Sequence, residues 1–320
     1  MQESTKHGIA TFFKIINIVT FAIVSLIWKL KLDNISSEQQ YFLQAIAATT
    51  TLFIIMILLP TGAGRIGFTR ARFKVHSLKS YFFRAITNAI GIPAMMQALK
   101  LTGANEVMAI TQLSPVFTAF LAVIFLKEKV KLNWIIALFF SLCGVIVMIY
   151  GGGIQASSLA VSPNYIKGIS LAMVAAISFS IYNIICKKQT DVHDDHFTQA
   201  FYCFAIATAM SIPFAYAQWK TISFDEMMWA LGSGVIGVLS VVALFLSYKF
   251  SSVVRMSPHS YLRVVVTAAT MYLLKDEIPS VQVMIAIALV LIGNFCVVFE
   301  NTFYQLLKAI TRRNNDDNIT

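Results

Sequence analysis

Apolar runs of about twenty residues, separated by short polar gaps, set the rhythm of this chain, and about twenty is the length an α-helix needs to cross a bilayer. The first run is Ile9 to Leu30 and the second Tyr41 to Leu59, which stops at Pro60-Thr61-Gly62. Further runs extend from Tyr81 to Leu101, Val107 to Leu126 and Leu132 to Tyr150. An uncharged stretch opened by Gly151-Gly152-Gly153 and reaching Pro163 divides the chain. A second set then follows: Ile166 to Cys186, Phe197 to Ala217, Met227 to Tyr248, Pro258 to Leu274 and Val281 to Phe299. The pattern predicts an all-α membrane protein with ten transmembrane helices.

The second set repeats the first. Leu113-Ser114-Pro115-Val116-Phe117-Thr118-Ala119 followed by Phe125-Leu126-Lys127-Glu128 has an echo in Leu262-Arg263-Val264-Val265-Val266-Thr267-Ala268 with Leu274-Lys275-Asp276-Glu277. Leu113 falls on Leu262, Thr118 on Thr267, Glu128 on Glu277 and Gly144 on Gly293. Gln44-Ala45 and Gln199-Ala200 open the second and seventh runs, and both runs end near a proline, Pro60 or Pro213. Internal duplication in apolar helices is the mark of a transporter built from two halves. The expected division is residues 1–150 as one five-helix repeat, 151–164 as a linker, 165–300 as the second repeat and 301–320 as a polar tail. Five helices is an odd number, so the halves are expected to cross the membrane in opposite senses, as inverted repeats.

Composition agrees with the pattern. The chain has 320 residues, 58% hydrophobic and 12% charged, against roughly 25% charged in a soluble domain. The net charge of +10 sits in the polar gaps: Arg65, Arg70, Arg72, Lys74 and Lys79 in one, Lys127, Lys129 and Lys131 in another, Lys187 and Lys188 in a third. That distribution follows the positive-inside rule and puts both termini in the cytoplasm. No basic face interleaved with aromatics points to nucleic acid. The cysteines Cys143, Cys186, Cys203 and Cys296 form no C-x-x-C pair and read as free thiols. No lysine and Ser/Thr follow the triglycine in P-loop spacing, which argues against an ATP-driven pump. His193-Asp194-Asp195-His196 suggests a metal at first sight, but no further ligands stand nearby. Acids before a helix are also what its dipole favours, so neither metal nor cofactor is expected.

The candidate chemistry is polar side chains inside greasy helices. Arg263 is foremost, because an arginine at mid-membrane costs about 2.5–3.5 kcal/mol on insertion scales and must face protein or water. His259, Arg263, Thr267 and Thr270 recur at helical spacing and would form one stripe able to bind an anionic solute. The alternative is that Arg263 bonds backbone carbonyls and locks its helix to a neighbour. Arg84 and Asn88 share a face of the third helix; Arg84 could serve a gate or solute, or snorkel to the basic gap, and Lys14 in the first helix is expected to snorkel. Gln112 stands beside Pro115, which frees a carbonyl, and Ser178, Tyr182 and Asn183 form a second patch. Both patches also suit interhelical hydrogen bonds. Trp28 is expected as an interfacial anchor. Ser233, Gly237, Ser240 and Ser247, with Gly144 and Gly293, are expected at close helix contacts. Glu128 and Glu277 are expected to complement the dipoles of the fifth and tenth helices. No Asp or Glu falls in the middle of an apolar run, so transport without proton coupling is expected unless His259 carries the proton.

Arg84-Ala85, Leu113-Ser114-Pro115 with Phe125-Leu126-Lys127-Glu128, and Ser257-Pro258-x-x-Tyr261-x-Arg263 ending at Glu277 together resemble the EamA-type transporters of the drug/metabolite transporter superfamily. The resemblance covers nearly the whole chain. It departs at Gln44, where related chains often have arginine, and at Val264, where the first half has Pro115. It implies alternating access in a bacterial inner membrane and no enzymatic activity. It further implies a midplane cavity for a small polar metabolite, such as an amino acid or a related carboxylate- or nucleoside-bearing compound, lined by the first, third, fourth, sixth, eighth and ninth helices. The solute-binding set expected on this basis is Arg263, His259, Tyr261, Thr267, Gln112, Asn88, Arg84, Tyr182 and Asn183. The partners expected are the solute and the bilayer, with a homodimer compatible and nucleic acid excluded. An integral-membrane enzyme acting on lipid-linked substrates would need a nucleophile, base or metal set near one interface, and only the His193–His196 gap offers one. A channel would need a ring of like charges, which is not visible.

Overall fold

The computed structural model describes residues 3–32, 34–58, 78–102, 107, 110–151, 163–190, 195–263, 265–266, 269–270 and 281–298. Among them helices α1 (Glu3–Lys31), α2 (Ser37–Leu58), α3 (Leu78–Leu101), α4 (Ser114–Leu126) and α5 (Leu132–Gly151) form a first group. Helices α6 (Pro163–Thr190), α7 (His196–Ala217), α8 (Phe224–Phe250), the short α9 (Val253–Met256) and α10 (Val281–Val298) form a second. The described residues contain no strand. Five of these helices (in α1, α2, α6, α7 and α8) are long and apolar enough to cross a membrane.

Large apolar side chains such as Phe12, Phe82, Phe83, Phe120, Phe139, Phe214 and Phe295 point outward. Such a surface suits hydrocarbon, where only intrahelical bonding satisfies the backbone. The interior is finer grained. Alanines on most helices, among them Ala45, Ala48, Ala85, Ala172, Ala175, Ala207 and Ala230, are fully buried, and small residues let helices approach where lipid supplies no hydrophobic drive. α1 packs on α8, α3 on α6, α2 on α7 and α8, and α5 on α10. Two glycines set the tightest approaches. A methyl group at Gly234 would stand 2.3 Å from the Gln44 carbonyl oxygen and 2.8 Å from Ala47 Cβ. At Gly293 it would stand 2.6 Å from Ser141 Oγ and 2.7 Å from the Ala137 carbonyl oxygen. Gly293 thus meets its expected packing role, whereas the closest contact of α8 belongs to Gly234 rather than to Gly237.

Two predicted helices are broken. The fourth was expected from Val107, but Gln112 and Leu113 form a turn and α4 starts at Ser114, with Pro115 in its first turn. The missing N–H of proline costs nothing there. The ninth was expected as one helix from Pro258. Instead α9 is followed by a 3-10 turn, Pro258–Tyr261, before helical geometry resumes at Leu262 and Arg263.

The α4–α5 connection reaches across to this break. The Val253 and Val254 amides donate to the two carboxylate oxygens of Glu128, each at 3.0 Å. Glu128 therefore serves the N-terminus of α9, not that of α5 as the sequence suggested. The physical logic of a carboxylate on exposed helix amides is unchanged; the helix it serves is distant in sequence. Beside it, Lys187 Nζ donates to the Tyr248 and Ser251 carbonyls at 2.6 and 3.2 Å, closing the C-terminal end of α8. The second glutamate of the repeat, Glu277, lies outside the described residues.

Three variants test these contacts in purified protein in detergent. Gly234→Ala should lower stability by about 1–3 kcal/mol through overpacking, read as a reduced Tm. Gly232→Ala, where a methyl group meets nothing within 4 Å, should be neutral or slightly stabilising. Glu128→Gln should cost about 1.5–3 kcal/mol, the range for a hydrogen bond to a charged group. It should also speed hydrogen exchange at the Val253 and Val254 amides, and unchanged exchange there would mean the carboxylate does not hold them.

Candidate functional site

A cavity of about 930 Å³, its open mouth included, lies between the two groups of helices. α1 contributes Lys14, Asn17, Phe21 and Val24, spaced three, four and three apart and hence on one helix face. α3 contributes Asn88 and Ile92, and α8 contributes Gly237, Ser240, Val241 and Leu244. Thr111, Gln112, Ser114 and Pro115 come from the broken start of α4, Phe179, Tyr182 and Asn183 from α6, and Ser260 and Arg263 from the segment after α9. Gln44 of α2 and Phe204 of α7 complete the wall. Among the described residues no Asp or Glu lines it.

Of the nine predicted solute-binding residues, Arg263, Gln112, Asn88, Tyr182 and Asn183 line this cavity. Thr267 lies outside the described residues. His259 and Tyr261 are buried but away from the wall; Tyr261 packs with Val290 of α10 instead. The expected stripe from His259 to Arg263 assumed α-helical spacing throughout. The 3-10 turn advances about 120° per residue rather than 100°, so the two side chains no longer share a face.

Arg263 stacks its guanidinium carbon 4.2 Å from the centroid of the Phe21 ring. Its buried Nε has no hydrogen-bond partner. The buried Nε of Arg84 also lacks a partner, but its two terminal nitrogens are held by protein. Arg84 is fully buried and does not line the cavity. Nη2 donates to the Tyr182 hydroxyl at 2.8 Å and Nη1 to Gln189 Oε1 at 3.0 Å. The guanidinium also lies 4.1 Å from the Phe245 ring centroid and 4.9 Å from that of Tyr182. Gln189 is fixed in turn, donating from Nε2 to Ser80 Oγ at 3.0 Å and accepting at its carbonyl from Gln199 Nε2 at 2.9 Å. Arg84 therefore does not snorkel. It joins α3, α6 and α8 behind the cavity and orients Tyr182 on the wall.

Lys14 does not snorkel either. It is only 3% exposed, lines the cavity, and sits with Nζ 5.3 Å from the Tyr248 ring centroid. Trp28, expected at the interface, is buried edge-on to Phe21, with ring centroids 6.0 Å apart. The polar wall residues outside the expected solute-binding set are Lys14, Asn17, Gln44, Thr111, Ser114, Ser240 and Ser260. For Lys14 and Asn17 the signal was present, since two polar residues three apart in an apolar helix share a face. Asn17 Nδ2 donates to the carbonyl and hydroxyl oxygens of Ser240, both at 2.9 Å, which ties α1 to the small-residue face of α8. Asn183 Nδ2 reaches Thr118 Oγ1 at 3.3 Å. Of the His193–His196 gap, His193 and Asp194 lie outside the described residues, and the His196 ring stacks on Phe245 at 6.1 Å.

Comparison with known proteins bears on this arrangement. A solved crystal structure of a protein superposes with a TM-score of 0.73 at 15% identity, covering 91% of this chain and 97% of that one; this is a likeness of fold. An S-adenosylmethionine uptake transporter of Rickettsia felis is 22% identical over 234 residues, 73% of this chain and 74% of that protein. An uncharacterized transporter of Helicobacter pylori is 20% identical over 294 residues, 90% and 94% of the two chains. The EamA-like transporter family matches twice, over residues 8–150 and 166–299. With both groups of helices matched, the chain belongs to the EamA-like transporter family and is a membrane transporter rather than an enzyme.

Proposed function

We propose that this protein is a secondary transporter of a small polar metabolite, built from ten spans in two inverted five-helix repeats, residues 1–150 and 165–300, that rock about the central cavity. The packing supports the repeat. Exchanging each helix of the first group with its counterpart in the second turns the α1–α8 contact into the α6–α3 contact and the α2–α8 contact into the α7–α3 contact, and both members of each pair exist. α2–α7 and α5–α10 map onto themselves. The alignment that sets Leu113 on Leu262 also sets Thr111 on Ser260, Ser114 on Arg263, Asn88 on Gly237 and Ile92 on Val241. All eight of these residues line the cavity. The charge bias of the polar gaps supports cytoplasmic termini in a bacterial inner membrane. The solute and the bilayer are the partners this reading requires, and a homodimer is compatible with it.

The observation that carries the solute reading is Arg263, a half-buried side chain on the cavity wall whose Nε is buried and has no hydrogen-bonding partner among the described residues. A carboxylate or phosphate would supply the missing partner, and planar bidentate recognition is what arginine does best. Asn88, Gln112, Tyr182 and Asn183 would orient the rest of an amino acid, or a related carboxylate- or nucleoside-bearing compound. The relative from Rickettsia felis, named for S-adenosylmethionine uptake, is compatible with a carboxylate at Arg263.

Counterflow in proteoliposomes against a panel of amino acids, nucleosides and S-adenosylmethionine tests this. Arg263→Ala should lower counterflow of the transported carboxylates at least tenfold, about the effect of one hydrogen bond to a charged group. Normal transport of every substrate by that variant would make Arg263 a lock between helices instead.

A further inference from the structure

Lys14 and Arg263 both open onto the cavity, and the described residues offer neither of them an anion. What each has instead is an aromatic face, Tyr248 for Lys14 and Phe21 for Arg263. A cation–π contact offsets only part of the penalty for an ion taken from water. Both cations stand on the wall of one cavity. The contrast with Arg84, whose guanidinium has two hydrogen-bond acceptors and two rings, is informative. Arg84 is held by side chains at both terminal nitrogens, although its Nε lacks a partner; the described residues give Lys14 and Arg263 no such acceptors. A pair of like charges left on one wet surface is relieved only by anionic charge arriving from outside or by loss of a proton.

We infer that Lys14 and Arg263 together form a two-cation subsite, so that the transported solute carries two negative charges there, as a dicarboxylate or a phosphomonoester. The inference rests on the transporter reading above and sharpens its substrate class. The remaining wall suits such a solute. Asn17 has committed both amide N–H groups to Ser240, and Asn183 one of its two to Thr118, which leaves their carbonyl oxygens as acceptors for solute hydroxyls. A net cation such as S-adenosylmethionine would meet two positive charges and no compensating acid. By this measure the chain differs in cargo from the relative whose printed name is that compound's uptake.

The experiment is binding to the full chain in nanodiscs, by calorimetry, of matched pairs: succinate against succinamate, and glycerol 3-phosphate against glycerol. S-adenosylmethionine is the cationic probe. In at least one pair the dianion should bind at least tenfold more tightly than its partner. Lys14→Gln should erase that advantage, while Lys14→Arg, which keeps the charge, should retain it and serve as the folding control. Which pair responds separates carboxylate from phosphate chemistry. The inference is overturned if neither dianion is preferred, if the preference survives Lys14→Gln, or if S-adenosylmethionine binds more tightly than both dianions. Loss of the preference in Lys14→Arg as well as Lys14→Gln would overturn it too, since position rather than charge would then matter. The two readings fail separately. Dianion binding without counterflow sinks the transporter mechanism alone, and counterflow of neutral or cationic solutes with dianions ignored sinks the two-cation subsite alone.

Discussion

A charge inside a membrane protein must be answered by protein, water or solute, because hydrocarbon answers nothing. This bundle contains both kinds of answer within a short distance. Arg84 is answered by protein: Tyr182 and Gln189 accept its protons and two rings cover its faces. Gln189 is held by Ser80 and Gln199, so the network spans α3, α6 and α7 and has few degrees of freedom left. Tyr182 belongs to both worlds, with its hydroxyl on Arg84 and its body on the cavity wall. A cation held at both terminal nitrogens thus stands behind the wall, and one without such partners stands on it. Lys14 and Arg263 are answered by the cavity.

The same constraint explains why the apolar spans were legible in the sequence and the exact site was not. Spans announce themselves by length and composition, and the repeat announces itself by register. The reading of Lys14 and Arg84 as snorkelling side chains came from where the apolar runs begin, at Ile9 and Tyr81. The helices begin earlier, at Glu3 and Leu78, because polar first turns such as Glu3-Ser4-Thr5-Lys6 fold helically without being apolar. Each added residue moves the charge about 1.5 Å deeper from the helix end, and Lys14 ends up three turns in. Hydropathy marks the greasy part of a helix, not the helix.

The ninth span failed for a different reason. In the sequence Pro258 suits the first residue of an ordinary helix, a position proline favours. In the fold it opens a 3-10 turn that follows α9, and its ring is fully compatible with either. What distinguishes them is Glu128, whose carboxylate pins the Val253 and Val254 amides from the opposite half. That contact joins residues 125 and 126 positions apart, and no local pattern could reveal it. Its effect on the site is direct: the turn removes His259 from the wall and leaves Arg263 on it.

The alignment of the halves gives the site a final feature. If the repeat arose by duplication, each wall position was once filled twice by the same residue, and the cavity began with two-fold symmetry. Thr111 and Ser260 preserve that state chemically, since both are hydroxyls. Ser114 and Arg263 do not. The serine has turned its backbone and hydroxyl oxygens to Ser180, at 3.0 and 3.2 Å, and become an interhelical bond, while the arginine has become a charge. Asn88 against Gly237 departs in the same way, one a polar side chain, the other a bare backbone that gives Gln44 room at 3.5 Å from where a methyl group would be. A symmetric cavity would hold a solute equally well in two orientations. With two of the pairs diverged, at Ser114 and Arg263 and at Asn88 and Gly237, the wall is no longer two-fold symmetric and its two ends are chemically distinct.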